Sequence, residues 1–243
     1  MKGFDPATSF GTDLAERYDD LARGDEAAAA AFLADLAQGG PACEFAIGTG
    51  RIALPLAAQG IPVDGIELSP DMVAQLRAKP EGQDINVVVG DMSKATTGRR
   101  YALVYLVFNT LFNLLTADDQ IRCFENAARH LTPQGHFVVE TALPHAWIGP
   151  DQGDFVHAEQ VETEGVTLDV ARYDPVTQLL EENHVRITAE GITLQPIVCR
   201  LITPGEMDLM ARIAGLRLVE RFGNWQRTPF GIGSKAHVSV YGF

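Results

Sequence analysis

The chain has 243 residues, 46% of them hydrophobic, so it can bury a large core as one domain over residues 1–243. Acidic residues outnumber basic ones, 32 against 19, and the net charge of -13 argues against a nucleic-acid partner. The sequence starts without an apolar signal segment, and its longest apolar run, residues 101–115, is too short and too polar to span a membrane. We therefore expect a cytoplasmic protein without membrane contact, whose three separated cysteines are reduced.

Two helices are predicted ahead of the first strand, over residues 10–23 and 26–38, and form a helical cap over residues 1–40. Strand 1 begins at Ala42 and leads into the turn Gly48-Thr49-Gly50-Arg51, which a helix follows. The two glycines permit positive φ and a close approach of the backbone to a ligand. This spacing is typical of a nucleotide-binding turn, and the pattern Gly48-x-Gly50-x-x-Ala53 also fits the dinucleotide fingerprint of nicotinamide and flavin enzymes.

Four more strands alternate with helices after this turn. They are predicted over residues 63–67, 85–89, 102–107 and 136–140, with helices over 70–79 and 116–131 between them. Such alternation indicates a parallel, doubly wound sheet, in which ligands bind outside the carboxyl ends of the strands. The glycine turn, Glu67, Asp91 and Asn109 all fall at that edge.

Residues 153–202 have a different pattern. Four extended segments, near 155–162, 166–173, 179–188 and 192–202, are separated by short turns, so an antiparallel β insertion follows strand 5. Strands over 216–222 and 236–243 complete the sheet as an antiparallel pair, because no crossover helix separates them. The predicted fold is therefore α/β: seven strands, mostly parallel with an antiparallel last strand, plus the insertion as a lid or a homodimer contact.

Five features in this order resemble the class I S-adenosylmethionine-dependent methyltransferases. They are the stretch Glu44-Phe-Ala-Ile-Gly-Thr-Gly-Arg51, the acid Glu67 before Ser-Pro-Asp-Met72, the run Gly90-Asp91-Met92, Phe108-Asn109-Thr110 after strand 4, and the terminal strand pair. The family more often has glycine where this chain has Ala46, which affects how closely the methionine portion of the cofactor packs.

The resemblance implies S-adenosylmethionine as cofactor and S-adenosylhomocysteine as product. Glu67 would accept the ribose hydroxyls, and Asp91 would accept from the adenine amino group. The full set of cofactor-binding residues that it implies is Tyr18, Glu44, Ala46, Gly48, Gly50, Arg51, Glu67, Leu68, Met72, Asp91, Met92 and Phe108.

The resemblance further implies methyl transfer to an amine or hydroxyl of a small molecule by direct displacement, as in enzymes that N-methylate amino sugars or other natural products. His145, after strand 5, and Tyr18, in the N-terminal segment, are the candidates for a general base. The candidate acceptor-binding residues are Phe10, Asn109, Phe112 and Trp147. No histidine and carboxylate spacing predicts a metal site.

Two other functional classes stay open at this point. One is a methyltransferase fold that binds the cofactor without methyl transfer, as a cyclase or a regulatory module. The other is a nicotinamide-dependent oxidoreductase, to which the terminal strand pair is unfavourable because a dinucleotide fold normally completes a second parallel half. Formation of S-adenosylhomocysteine distinguishes methyl transfer from both.

Overall fold

A computed structural model describes residues 1–6, 8–20, 23–148 and 153–243. In these ranges the strands form a seven-stranded sheet and a separate four-stranded sheet. The large sheet has the order β3-β2-β1-β4-β5-β11-β10 and contains β1 (Ala42–Phe45), β2 (Val63–Glu67), β3 (Asn86–Val89), β4 (Tyr101–Leu106), β5 (Leu131–Ala142), β10 (Arg217–Phe222) and β11 (Ala236–Gly242). β11 runs antiparallel to both of its neighbours, β5 and β10, and the other strand pairs are parallel, so the predicted seven-stranded fold is confirmed.

Helices cover both faces of this sheet, and their bounds follow the capping signals in the sequence. The helices are α1 (Thr12–Arg17), α2 (Glu26–Ala37), α3 (Ala53–Ala57), α4 (Pro70–Ala78), α5 (Ala117–His130), α6 (Pro144–Trp147) and α7 (Pro204–Ile213). The Ser69 hydroxyl accepts from the Met72 N–H at the start of α4, and Thr203 forms a capping box with Glu206 at α7. The first predicted helix is shorter than expected, and residues 21 and 22 of that prediction lie outside the described residues.

Two strands differ from their predictions. β5 starts at Leu131, five residues early, and a bulge against β4 absorbs the extra residues before His136. β3 starts at Asn86, one residue later than predicted; it lies at the sheet edge and Val89 is 55% exposed. Its apolar sequence therefore reflects strand propensity more than burial.

The insertion is a four-stranded antiparallel meander, as predicted. It contains β6 (Phe155–Glu162), β7 (Gly165–Asp174), β8 (Leu179–Thr188) and β9 (Ile192–Arg200), in that spatial order. Its base packs on the large hydrophobic core through Ala171, Leu180 and Cys199, which are buried. This anchoring positions β9 beside the 3-10 helix Thr110–Asn113 that follows β4, at the carboxyl edge of the large sheet.

Candidate active site

A cavity of about 270 Å³ lies at the carboxyl ends of β1, β2 and β3. Four parts of the chain surround it: the strand ends with the turns and helix starts that follow them, the N-terminal segment, residues 110–119 after β4, and β9 of the insertion. Its walls include, from those parts, Phe4, Phe10, Tyr18, Ala46, Gly48, Glu67, Leu68, Met72, Asp91, Met92, Asn113, Ile197 and Val198. The cavity therefore brings together most of the residues predicted to bind the cofactor.

Glu67 ends β2 and is held rigidly. One carboxylate oxygen accepts from the Gly48 N–H at 2.8 Å and the other accepts from the Ser69 N–H at 2.8 Å. Burial raises the pKa of this carboxyl, and those two N–H groups together with that of Leu68 oppose the rise. Each oxygen retains a second lone pair, so the carboxylate can still accept two hydroxyl groups from a ligand.

Asp91 follows β3 and is oriented by its own turn. Its Oδ1 accepts from the backbone N–H and the hydroxyl of Ser93, both at 2.8 Å, and its Oδ2 lies 3.0 Å from the Lys94 Nζ. Burial disfavours its charge, yet Ser93 and Lys94 together hold the pKa of Asp91 below its usual range. The carboxylate is therefore an acceptor at neutral pH. Leu68 and Met92 line the same cavity and can serve as apolar walls.

The glycine turn has the conformation that the sequence predicts. Gly48 has φ +57° and Gly50 has φ +83°. A Cβ on Gly50 would lie 2.5 Å from the Leu76 side chain, so only glycine lets the turn pack against α4. Ala46 also has a positive φ, 55°, a conformation that is strained for alanine and unstrained for the glycine more usual in the family.

Two guanidinium groups lie over the ring of Phe108, beside the glycine turn. The Arg23 Cζ is 3.9 Å and the Arg51 Cζ is 5.2 Å from the ring centroid. Arg51 also pairs with Asp25 at 2.5 Å, and Arg23 lies 4.6 Å above the Tyr18 ring. One nitrogen of each guanidinium, Nη1 of Arg23 and Nη2 of Arg51, is buried without a hydrogen-bond partner. Two orphaned cationic donors at one place fit a carboxylate ligand.

Glu44 lies beneath this cluster and does not line the cavity. It is 2% exposed, and its carboxylate accepts from the Tyr105 hydroxyl at 3.0 Å. Burial raises its pKa to about 8, although the Tyr105 hydrogen bond and the Arg51 charge oppose the rise. The role of Glu44 toward the cofactor stays a prediction. Because Glu44 does not line the cavity, such a role would act through the neighbouring charge of Arg51.

We expect the raised pKa of Glu44 to make stability fall with rising pH. Between the ordinary carboxyl pKa and about 8, the folded state holds a proton that the unfolded state has lost. From pH 5 to pH 8.5, Glu44→Gln should therefore gain about 4 kcal/mol in unfolding free energy relative to wild type. Urea denaturation at both pH values measures this difference, with Glu164→Gln, at an exposed turn residue, as the control. Parallel pH dependences for wild type and Glu44→Gln would contradict the prediction.

The remaining predicted residues are more scattered. Phe10 lines the cavity and packs edge-on against Tyr18, with centroids 6.4 Å apart. Phe112 is fully buried in the core and meets Trp147 edge-on at 5.6 Å, and neither lines the cavity. Asn109 accepts from the Ala142 N–H through its side chain and so ties β4 to β5.

His145 lies on the short helix α6, where it is exposed and outside the cavity lining. The structure therefore does not bring its imidazole to the cavity, and its role as a base stays a prediction.

Arg23 and Glu140 are two residues of this region that were not predicted. Glu140 accepts from the Phe108 N–H and from the Trp225 indole N–H, both at 2.8 Å, and so holds the residues under the guanidinium pair. An acid in the apolar strand His136-Phe-Val-Val-Glu140 was a usable signal. Arg23 carries no such signal, since it stands in a polar segment.

The strand order, the acid ending β2 and the aspartate after β3 together define a class I methyltransferase. The family described as "Methyltransferase domain" matches residues 42–135. The CcbJ methyltransferase from Streptomyces caelestis is 38% identical, with a TM-score of 0.91 and a match covering 98% of this chain and 99% of that one.

Two relatives known by sequence are also similar. The cypemycin N-terminal methyltransferase from a Streptomyces species is 26% identical over 204 residues, 81% of this chain and 80% of the relative. The dTDP-3-amino-3,6-dideoxy-alpha-D-glucopyranose N,N-dimethyltransferase from Streptomyces fradiae is 31% identical over 173 residues, 67% of this chain and 65% of the relative. The chain belongs to the S-adenosylmethionine-dependent methyltransferases, and it is an enzyme with S-adenosylmethionine as its cofactor.

No helix within the described ranges is long and apolar enough to cross a membrane.

Proposed function

We propose that this enzyme methylates the nitrogen of an aliphatic amine on a small natural-product molecule. The observation that carries the proposal is the cavity itself, which the N-terminal segment and β9 enclose beside Glu67 and Asp91. A cavity of about 270 Å³ is of a size that suits small molecules, and β9 and the N-terminal segment add apolar walls to it beside the proposed cofactor residues. Of the two relatives described above, one is named as an N-terminal methyltransferase and the other as an N,N-dimethyltransferase of a dTDP-amino sugar.

The residues present fit the cofactor. Glu67 would accept the ribose hydroxyls, Asp91 the adenine amino group, and the orphaned nitrogens of Arg23 and Arg51 would bind the methionine carboxylate. Gly48 allows close approach of the backbone. Bound S-adenosylmethionine supplies an electrophilic methyl group. The chain itself chiefly aligns the acceptor and excludes water, which is worth up to roughly 7–11 kcal/mol in favourable cases.

Tyr18 is the predicted catalytic residue that lines the cavity. Burial raises the pKa of its hydroxyl, and the Arg23 and Arg51 charges oppose the rise. The hydroxyl therefore stays protonated near neutral pH and is suited to orient an amine by a hydrogen bond rather than to remove its proton. Among the predicted acceptor residues, Phe10 is the one in the cavity wall.

The experiment compares paired acceptors that differ in one group: an amino sugar or short peptide with a free amine, and the same molecule with a hydroxyl or an N-acetyl group instead. We expect formation of S-adenosylhomocysteine and a mass gain of one or two methyl groups with the amine only. Methylation of the hydroxyl member would overturn the assignment to nitrogen. Cofactor binding with no turnover across the panel would favour the cyclase or regulatory alternative.

We further propose that residues 153–202 roof the cavity on one side and contact a second copy on the other. The outer face of the insertion carries rows of apolar residues across its four strands: Val161, Val166, Ile187 and Ile192, then Ala158, Leu168, Val185 and Leu194. Val161 is 75% and Ile192 is 68% exposed. An exposed apolar sheet face of this kind suits packing on a second sheet.

Ile192→Asp is expected to convert a homodimer into a monomer, because the charge would be buried in the contact. Sedimentation velocity at several concentrations measures the change, and Thr193→Asp, on the opposite face of the same strand, is the control. A monomeric wild type, or a dimeric Ile192→Asp variant, would refute the contact. The cytoplasmic location stays a prediction.

A further inference from the structure

One part of the cavity wall is apolar and comes from elements other than those that carry Glu67 and Asp91. It is formed by Phe4 and Phe10 of the N-terminal segment, Leu114 and Leu115 after β4, and Ile197 and Val198 on β9, and we call these six residues the apolar wall. Val198 is buried and the other five are half-buried, so the apolar wall offers surface that a ligand can cover.

The apolar wall begins beside Tyr18, whose hydroxyl is proposed to orient the amine. Phe10 packs edge-on against the Tyr18 ring, with centroids 6.4 Å apart, and both residues line the cavity. An acceptor whose amine lies at Tyr18 can therefore extend along Phe10 toward β9. The polar side chains of Ser9, Thr110 and Asn113 line the same cavity and are uncharged, so they suit hydroxyl or amide groups of a ligand.

The cavity lacks free positive charge. Of the described residues that line it, Lys94 is the only one with a basic side chain, and its Nζ is 3.0 Å from the Oδ2 of Asp91. The chain outside the described ranges contains no lysine or arginine. Arg23 and Arg51 do not line the cavity, and we have assigned them to the methionine carboxylate. A phosphate in the cavity would therefore find no unpaired cationic side chain among its lining residues.

The two helices that start at the cavity do not replace the missing cations. A helix N-terminus attracts anions, but each of these helices already has an acid in its first turn: Asp71 in α4, and Asp118 and Asp119 in α5. Asp119 itself lines the cavity. The hydrogen bond from the Thr116 hydroxyl holds the pKa of Asp119 below its usual range, so this carboxylate is charged at neutral pH and repels a phosphate.

We propose that the apolar wall binds the body of the acceptor, and that this enzyme methylates an amine whose body is apolar and carries no phosphate. The dTDP-amino sugar in the name of one relative does not fit, because its diphosphate would bring two negative charges beside Glu67, Asp91 and Asp119. An apolar peptide with a free terminal amine, or an amino sugar on an apolar aglycone, does fit. This inference rests on the proposed function, since it requires an amine acceptor.

The experiment measures kcat/KM from the formation of S-adenosylhomocysteine with two pairs of amines that differ in phosphate. One pair is phenyl 3-amino-3,6-dideoxyglucoside and dTDP-3-amino-3,6-dideoxyglucose, and the other is alanyl-phenylalanyl-serine amide and its phosphoserine form. We expect wild type to use the unphosphorylated member of at least one pair at least about 10-fold better. The N-acetyl form of each unphosphorylated amine shows whether the amine is the group that is methylated.

Ile197→Lys places a cation in the apolar wall and should reduce the preference for the unphosphorylated member by at least about 5-fold. The control is Thr193→Lys, which adds the same net charge on the same face of β9, at an exposed position that does not line the cavity. Ile197→Ala should lower kcat/KM for the phenyl glucoside by about 3- to 10-fold, because apolar contact is lost. Affinity for S-adenosylhomocysteine should be unchanged in each variant.

The outcomes separate the two proposals. Suppose that wild type methylates the free amines but uses the phosphorylated member of both pairs equally well, or that Thr193→Lys changes the preference as much as Ile197→Lys does. The apolar wall then does not select the acceptor, while the amine-acceptor function stands. If the N-acetyl forms are methylated as well as the free amines, or if no amine is methylated, the amine-acceptor function fails and this inference fails with it.

Discussion

Replacing Glu67 is expected to weaken binding of S-adenosylmethionine and S-adenosylhomocysteine by at least about 100-fold, because two hydrogen bonds to a charged acceptor are lost, each worth roughly 1.5–3 kcal/mol. The variants are Glu67→Ala and Glu67→Gln. Glu67→Ala should also lower the free energy of unfolding by about 1–3 kcal/mol, since the buried N–H groups of Gly48 and Ser69 lose their acceptor.

Calorimetric titration measures the affinity, and urea denaturation measures the stability. Glu220→Gln, at an exposed position on β10, is the control. A 2′-deoxy or 3′-deoxy analogue of S-adenosylhomocysteine tests the specific contact: wild type should lose affinity for it, and Glu67→Gln should not distinguish it from the parent. Wild-type affinity in Glu67→Gln would remove Glu67 from the ribose site.

The sequence was informative wherever a site residue ends an apolar strand. Glu67 and Asp91 follow short apolar runs that turn residues bound, and parallel strands place such ends at one edge of the sheet. The same regularity predicted the meander to within about two residues of each strand end. Period-2 alternation also separates the two faces of the insertion, so that consecutive residues such as Ala171 and Arg172 lie on opposite faces.

Alternation could not say which of those faces closes the cavity, because that depends on how the insertion packs on the core. The placement of the predicted aromatic residues could not be read from the sequence for a similar reason. Asn109 has a positive φ and opens a 3-10 helix, which turns Phe112 into the core instead of toward the cavity. Arg23 reaches the glycine turn because the N-terminal segment passes over the sheet edge, and no local pattern encodes that path.

Arg23→Ala is expected to weaken cofactor binding by about 10- to 100-fold with little loss of stability. The guanidinium stacks on Phe108 and Tyr18, and its buried Nη1 has no partner in the protein. A ligand carboxylate would supply that partner through a charge-assisted hydrogen bond worth roughly 1.5–3 kcal/mol. Arg51 is less suitable for this test, because its ion pair with Asp25 would also be lost.

The decisive comparison uses S-adenosylmethionine and decarboxylated S-adenosylmethionine, which lacks only the methionine carboxylate. Wild type should bind the decarboxylated form about 10- to 100-fold more weakly than the intact cofactor. The factor by which Arg23→Ala lowers affinity for the intact cofactor should be about the factor by which it lowers the preference for that cofactor over the decarboxylated form. Arg212→Ala, at an exposed position on α7, should behave as wild type. If Arg23→Ala discriminates between the two ligands as strongly as wild type does, the carboxylate is bound elsewhere, and the guanidinium over Phe108 serves to hold Tyr18 against the cavity.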